Sequence, residues 1–204
     1  SDYHCDLIEM WEGVKTDTFK PPNVISETRY KSIKEMNSPN ALKAFAGFGL
    51  SFGGRFFGSY AQKYTNGKKE DFLKEAQNSL KKKRPYILNV NFKCLDYKKL
   101  KPKKSIIYCD PPYAYNKYPI KYRRDTKEYD KFDNEEFWEI MRKWSKNNLV
   151  IISETKAPDD FIKIWEKEKT NSVSKAGKTT LKNVDKIKLT EKLYIHKNHL
   201  KLIY

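Results

Sequence analysis

The side chains best suited to chemistry follow a short apolar run at residues 105–109. The run is β-branched and predicts a buried strand of a parallel sheet. It leads directly into Asp110, Pro111, Pro112 and Tyr113. Because proline cannot donate to a strand ladder and restricts the residue before it, the chain must leave the sheet there in a fixed shape. We therefore expect a carboxylate, a carbonyl and an aromatic ring at the ligand-binding edge of an α/β sheet.

An exocyclic amine on a flat ring would use all three groups. Asp110 and the carbonyl oxygen of Pro111 can accept the two amine hydrogens, which directs the nitrogen lone pair toward an electrophile outside the ring plane. Tyr113 can stack on the ring, and this stacking offsets part of the cost of taking a base out of a duplex. The same residues could also form only a rigid turn between a strand and a loop.

The sequence Tyr-Cys-Asp-Pro-Pro-Tyr at residues 108–113 resembles the catalytic motif of Dam-like DNA N6-adenine methyltransferases, which use S-adenosylmethionine (AdoMet). Three further segments occur in the order of that subgroup, particularly its phage and viral members: Asp2 with residues 6–8, residues 48–54, and residues 95–97. The resemblance covers most of the chain to about residue 154, and weakly the rest. It implies site-specific transfer of a methyl group from AdoMet to N6 of a flipped adenine in double-stranded DNA.

The resemblance also assigns roles to single residues. It implies Asp110, Pro111, Pro112 and Tyr113 as the catalytic group. The implied AdoMet-binding residues are Asp2 at the ribose, Asp96 with Tyr97 at the adenine ring of AdoMet, and Asp110. From the residues alone, Asp2 could be a surface carboxylate, and Asp96 could simply cap a turn or a helix. Asp6 is expected at the cap or in the first turn of a helix.

The glycine-rich Phe-x-Gly-x-Gly loop of the family should lie upstream of Asp2, and we expect this chain to lack it. Residues 45–49 match the pattern literally, but they follow a predicted helix with Ser38 as its cap and Pro39 at its first position, whereas the cofactor loop follows a strand. We therefore expect a fragment, a truncated relative, or one part of a split enzyme whose loop comes from a second chain or copy.

Two other functions stay open. One is a catalytically inactive DNA-binding or scaffold subunit, which the missing loop favours. The other is methylation of a planar amide or amine on RNA or protein. Relatives that act on glutamine resemble an Asn-Pro-Pro-Tyr version of the motif, so Asp110 weighs against this third hypothesis.

The net charge of +16 and the pI near 9.5 indicate a nucleic-acid partner, although a lysine-rich composition could arise from genome bias. The polar loop after Tyr113 is expected to close over the flipped base. The candidate DNA-binding residues are Arg55, Lys82, Lys83, Arg84, Lys117, Lys121, Arg123 and Arg124.

The three cysteines, at positions 5, 94 and 109, have no paired spacing. This count argues against a disulfide framework and for a reducing compartment, either the cytoplasm or the nucleoid, including that of a phage- or virus-infected host. Cys109 is expected to be a small core residue. No metal-ligand spacing occurs, and no apolar run has the length of a membrane span.

Strands alternate with helices, which predicts an α/β fold. The resemblance specifies a class I AdoMet-methyltransferase, Rossmann-like, with a mostly parallel sheet and a small helical target-recognition insertion. We divide the chain into the rest of the AdoMet-binding half (1–40), a DNA target-recognition region (41–85) and a catalytic half (86–204). Helices are predicted at 6–14, 26–36, 39–45, 70–84, 133–145 and 159–169, and strands at 86–94, 105–109, 149–153, 190–194 and 200–204, with a flexible hairpin connection at 170–186.

Overall fold

The computed structural model describes residues 1–65, 67–112, 132–171 and 187–202. The chain divides into two compact units, Ser1–Leu100 and Lys101–Tyr204. Together they form a mixed α/β protein, as predicted. The three functional regions proposed from the sequence stay a prediction. Among the described residues, no helix has both the length and the apolar character needed to cross a bilayer.

The first unit is built mainly from helices. Its elements are α1 (Cys5–Thr16), α2 (Glu27–Lys34), α3 (Ala41–Gly49), a 3₁₀ helix (Phe52–Gly54), the short antiparallel pair β1 (Tyr64–Thr65) and β2 (Lys68–Lys69), α4 (Phe72–Ile87) and a second 3₁₀ helix (Tyr97–Lys99). The apolar faces of the four α-helices meet in one core that includes Met10, Ile33, Phe45, Leu50 and Leu80. The helical periodicity of the sequence therefore located this core correctly.

Side chains cap the helices of the first unit, although one predicted cap is wrong. Ser26 caps α2, where its hydroxyl accepts the N–H of Arg29 at 3.1 Å. Asn40, not Ser38, caps α3, and its Oδ1 accepts the N–H of Lys43 at 3.1 Å. Ser38 instead donates its hydroxyl to Asp6 at 3.0 Å, because the buried carboxylate needs hydrogen-bond donors.

The strand predicted at residues 86–94 is wrong. Helix α4 continues through Pro85 to Ile87, and Ile87 packs on the helical core. Beyond it, Cys94 forms an isolated parallel bridge with Asp2. The apolar alternation misled the prediction because Ile87 belongs to the core face of the helix.

The second unit contains a four-stranded sheet and one α-helix in the part of it that the structure describes. Its elements are β3 (Ile106–Cys109), α5 (Asn134–Trp144), β4 (Leu149–Glu154), β5 (Phe161–Asn171), β6 (Ile187–His196) and a 3₁₀ helix (Lys197–Leu202). The strand order is β3-β4-β6-β5. Only β3 and β4 run parallel, and the other two pairs are antiparallel. The described sheet therefore does not confirm the expected mostly parallel arrangement.

Two further element predictions in this unit are wrong. Residues 159–169 were expected to be helical, but most of them belong to β5, and residues 200–202 belong to the last 3₁₀ helix instead of a strand. The run of Glu and Lys favours a helix by local propensity. In the sheet it gains opposite-charge neighbours, because Glu166 lies opposite Lys192 and Lys167 lies opposite Glu191. The hairpin connection predicted at 170–186 falls largely on residues 172–186, which lie outside the described residues.

Candidate active site

The predicted catalytic carboxylate follows β3 directly. Asp110 comes after Cys109, the last residue of β3, and it is exposed, while Pro111 is buried. The parallel ladder with β4, from Ile106 opposite Leu149 to Cys109 opposite Ile152, fixes this end of the strand. The strand therefore ends directly before Asp110, as the motif predicts, and residues 110–112 lie outside the ladder. Tyr113 lies outside the described residues.

Asn148 holds the beginning of β3 in place. Its Oδ1 accepts the N–H of Ser105 at 3.1 Å, and its Nδ2 donates to the carbonyl oxygens of Pro102 at 3.2 Å and Trp144 at 2.9 Å. The side chain is buried, so these bonds satisfy polar groups that water does not reach. This amide thus joins the end of α5 to the strand that carries Asp110.

The strand itself is less buried than the sequence predicts. Ile106 is 75% exposed and Tyr108 is 62% exposed, because β3 is the edge strand of the described sheet. Ile107 and Cys109 are half-buried. The Cys109 sulfur lies 3.6 Å from the Met141 sulfur, and burial raises the pKa of its thiol to about 11. Cys109 is therefore protonated at neutral pH and a poor nucleophile. It is half-buried instead of lying in the core as predicted.

A second carboxylate follows the neighbouring parallel strand. Glu154 ends β4 and is only 2% exposed. Its Oε1 accepts the N–H of Thr155 at 2.6 Å and the Thr155 hydroxyl at 2.9 Å. Since Ile152 lies opposite Cys109, the register brings Glu154 to the same edge of the sheet as Asp110. The sequence indicated its position but not its burial, which depends on β6.

The structure brings Asp2 together with the segment that carries Asp96. Asp2 donates its N–H to the carbonyl of Lys93 at 3.1 Å, and its own carbonyl accepts the N–H of Leu95 at 3.1 Å. Each carboxylate accepts a hydrogen bond from the backbone N–H two residues later in the chain. Asp2 Oδ1 accepts the N–H of His4 at 2.7 Å, and Asp96 Oδ1 accepts the N–H of Lys98 at 2.9 Å. We call residues 2–4 and 93–96 the carboxylate strip.

Asp96 thus has the capping role that the sequence left open. It is the N-cap of the 3₁₀ helix that begins at Tyr97. A carboxylate that uses one oxygen in this way still presents a second oxygen to a ligand hydroxyl or amine. The AdoMet contacts of Asp2, Asp96 and Tyr97 stay predictions.

A disulfide, against which the cysteine spacing argued, joins Cys94 of the carboxylate strip to Cys5 of α1. Cys5 and Cys94 are bonded, with their Cα atoms 5.0 Å apart. The absence of paired spacing was misleading, because tertiary packing joins residues 89 positions apart in the chain. The expectation of three reduced cysteines is therefore wrong, and Cys109 is the free thiol.

His4 also contributes to the strip, although the sequence suggested no role for it. Its Nδ1 accepts the N–H of Leu7 at 3.4 Å and caps α1. Its ring contacts Phe48 and Phe56, with centroid distances of 5.1 Å and 4.3 Å. Burial lowers the pKa of His4 despite the opposing charges of Asp6 and Asp2, so the ring is neutral at pH 7. Histidine is not a common cap, so no pattern could reveal this contact.

The literal glycine pattern at residues 45–49 lies inside α3. A helix interior has no backbone N–H groups free to surround a ligand, so this segment does not have the form of a cofactor loop. Gly47 serves packing instead, since an added Cβ would lie 2.7 Å from Cε2 of Phe57.

The candidate DNA-binding residues differ in their surroundings. Arg55 is exposed and follows two glycines with left-handed φ angles, +67° at Gly53 and +68° at Gly54. Lys82 is exposed on α4. The remaining candidates, Lys117, Lys121, Arg123 and Arg124, lie outside the described residues, as does most of the predicted closing loop.

Two of the predicted phosphate-binding cations have partners within the first unit. Lys83 lies over the ring of Trp11, with Nζ 5.7 Å from its centroid. Arg84 Nε donates to the carbonyl of Val14 at 3.0 Å and lies 4.0 Å from the Asp17 carboxylate. Arg84 therefore helps to close the C-terminus of α1, where a cation is electrostatically favoured.

The predicted site residues fall into two groups. The carboxylate strip belongs to the first unit, and Asp110 belongs to the second. A carboxylate beside a proline carbonyl can bind an exocyclic amine, and the strip offers carboxylate oxygens to a nucleoside.

A comparison with protein families gives a match over more than half of the chain. A family model for D12 class N6 adenine-specific DNA methyltransferases matches residues 44–189, which is more than half of the chain. The curated proteins searched contain no match to the chain. The matched region includes Asp96 and Asp110, and this family implies DNA as the substrate and AdoMet as the methyl donor. The chain therefore belongs to the D12 class of N6 adenine-specific DNA methyltransferases.

Proposed function

We propose that this chain transfers a methyl group from AdoMet to N6 of an adenine that has left a DNA duplex, with Asp110 as the central catalytic residue. The observation that carries the proposal is the exposed carboxylate directly after β3, followed by the buried Pro111, within the family match. The buried proline fixes the backbone next to the carboxylate, so the acceptor groups are positioned before a substrate arrives.

The chain's own groups have a limited chemical task. Asp110 and the Pro111 carbonyl would accept the two hydrogens of the adenine amine and orient its lone pair. As N6 gains the methyl group it becomes positive, and the Asp110 carboxylate stabilises that charge and can take up a proton. Tyr113 would stack on the base.

AdoMet, when bound, supplies the methyl group from its sulfonium. We propose that Asp2 and Asp96 receive its ribose hydroxyls and adenine ring, because both carboxylates are already oriented by backbone N–H groups. Residues 45–49 do not fit the role of a glycine loop, since they are helical. In this proposal the loop comes from outside those residues. The same proposal includes three further features: a class I, Rossmann-like sheet, a phage or viral origin, and an intracellular site of action.

A methyl-transfer assay with Asp110 variants tests this function. We expect Asp110→Asn and Asp110→Ala to lower kcat for labelled methyl incorporation into duplex DNA by at least about 100-fold, because charge stabilisation in the transition state is lost. DNA affinity should change less than about threefold. Asp159→Ala, which removes another exposed aspartate of the second unit, is the matched control. Equal activity of Asp110→Ala and the unmutated protein would rule out this site.

The second candidate is an inactive DNA-binding or scaffold subunit. The helical conformation of residues 45–49 favours it, because this segment offers no loop for the methyl donor. Calorimetry of AdoMet binding, with and without DNA, separates the two functions. Micromolar binding supports the enzyme, and DNA binding by a folded chain that does not bind AdoMet supports the scaffold.

A further inference from the structure

We propose that the disulfide between Cys5 and Cys94 positions the AdoMet-binding carboxylates, so that AdoMet affinity depends on the redox state of this pair. The inference rests on the proposed function and adds a control of its donor site. Cys5 and Cys94 are positioning residues here, since they act through Asp2 and Asp96 and need not touch the donor.

The disulfide joins the two segments that carry the carboxylates. Cys94 is directly opposite Asp2 in the parallel bridge, and Asp96 follows Cys94 by two residues. Cys5 is the first residue of α1, three positions after Asp2. One covalent bond therefore connects the segment that presents Asp2 to the segment that presents Asp96.

The hydrogen bonds that join these two segments lie where water can reach them. Two backbone hydrogen bonds, each 3.1 Å long, connect Asp2 to Lys93 and Leu95. Asp2, Lys93 and Cys94 are exposed, so water competes for these bonds. So short a pair of extended segments is only marginally stable by itself. The disulfide keeps them in register when thermal motion opens the hydrogen bonds.

Other hydrogen bonds attach the residues that precede Lys93 to α1. Lys15 Nζ donates to the Val90 carbonyl at 3.0 Å, and the Phe92 N–H donates to Glu12 Oε1 at 3.3 Å. These bonds attach residues 90–92 to the C-terminal half of α1. Breaking the disulfide should therefore loosen Asp2 relative to Asp96 while the helical core stays folded.

The chemistry is reversible thiol–disulfide exchange. A dithiol such as dithiothreitol reduces the Cys5–Cys94 bond to two thiols and is itself oxidised to a cyclic disulfide. A disulfide oxidant such as oxidised glutathione reverses the reaction and is reduced to its thiol. Cys94 is exposed, which gives such reagents access to its sulfur.

The test compares four forms of the full chain: oxidised, dithiothreitol-reduced, Cys5→Ser with Cys94→Ser, and Cys109→Ser. Cys109→Ser is the control, because it removes the free thiol and retains the disulfide. Mass spectrometry checks the redox state, and thermal unfolding identifies a temperature at which every form is folded. At that temperature we measure the Kd for AdoMet, the KM for AdoMet and kcat at saturating AdoMet.

We expect the Kd and KM for AdoMet to rise about tenfold in the reduced and double-serine forms, since ordering even one or two residues on binding weakens affinity by about that factor. The kcat and the DNA affinity should stay within about twofold, and oxidised glutathione should restore the affinity of the reduced form. A general loss of structure would instead change DNA affinity and kcat as well.

Equal AdoMet affinity in the oxidised and reduced forms, with methyl transfer intact, would overturn this inference and leave the proposed function standing. Failure of the oxidised chain to bind AdoMet would overturn the proposed function itself, and the inference with it.

Discussion

Cys109 shows how a single residue beside Asp110, the proposed catalytic aspartate, is kept chemically inactive. Its thiol has an ordinary pKa of 9.0, and burial next to Met141 raises this value to about 11. The folded state therefore retains the thiol proton in a pH range in which the unfolded chain has lost it. In that range the folded state binds more protons than the unfolded state, so its stability must fall as the pH rises.

We expect the free energy of unfolding to decrease between pH 9 and 11 by up to about 2 kcal/mol because of Cys109. Below pH 9 both states are protonated, and this contribution is fully present. The measurement is urea unfolding of the oxidised protein and of Cys109→Ala across that range. Other groups also titrate there, so the quantity of interest is the difference between the two proteins. Parallel curves would contradict the raised thiol pKa.

At the scale of elements, a buried carboxylate of α1 anchors the loop before α3. Asp6 is 5% exposed, and its two oxygens accept the N–H of Asn40 at 2.7 Å and the hydroxyl of Ser38 at 3.0 Å. Asn40 in turn caps α3. This chain of contacts fixes the position at which α3 begins against α1.

We expect Asp6→Ala to lower the free energy of unfolding by about 2–4 kcal/mol, because the two charge-assisted hydrogen bonds that the buried carboxylate accepts are lost. Asp6→Asn should cost less, since its amide oxygen can still accept one of the two bonds. Glu9→Ala, at an exposed position of the same helix, is the control and should change stability by less than about 0.5 kcal/mol. Equal effects of Asp6→Ala and Glu9→Ala in denaturant unfolding would refute the anchoring role.

The contact between α3 and the following turn depends on a glycine. Gly47 accepts the N–H of Phe57 at 3.0 Å and the Ser51 hydroxyl at 2.5 Å through its carbonyl oxygen. Its missing side chain leaves room for the rings of Phe56 and Phe57. The rings cannot move aside easily, because these hydrogen bonds hold the turn against the helix.

Gly47→Ala should destabilise the protein by about 1–3 kcal/mol through overpacking, although alanine has the higher helix propensity. Gly49→Ala, also in α3, is the comparison, because its Cβ would lie 3.0 Å from the Ala76 Cβ and should be tolerated better. Thermal unfolding of both variants gives the result. A Gly47→Ala protein that is more stable than Gly49→Ala would show that the turn can shift freely.

At the scale of the whole molecule, the net charge of +16 should make DNA binding strongly dependent on salt, because each neutralised phosphate releases counterions. The exposed Lys82 is a candidate contact, and Lys82→Ala should reduce the slope of log K against log salt by about 1. Lys31→Ala is the control, since Lys31 pairs with Glu27 at 2.8 Å on α2. Fluorescence titrations with duplex DNA at several salt concentrations measure the slope. An unchanged slope in Lys82→Ala would remove this residue from the interface.

Much of this molecule followed from local sequence patterns. Helical periodicity and the cap at Ser26 located α1, α2, α4 and α5 to within a few residues. The motif at residues 108–113 predicted the family, and it also predicted a carboxylate immediately after a strand. These features depend on near neighbours: a side-chain period, a capping oxygen, or a proline that ends a ladder.

Other features were decided only by the tertiary structure. The Cys5–Cys94 bond and the hydrogen bond between Asp6 and Asn40 connect residues that are far apart in the chain, so local patterns do not show them. The His4 cap among aromatic rings is hidden for another reason, because histidine is an unusual capping residue. The change from the predicted helix to β5 also has a non-local origin. Its Glu and Lys residues favour a helix locally, but pairing with β6 supplies a long antiparallel ladder and opposite charges across it. Non-local pairing outweighs local propensity because each propensity difference is only a fraction of a kcal/mol per residue.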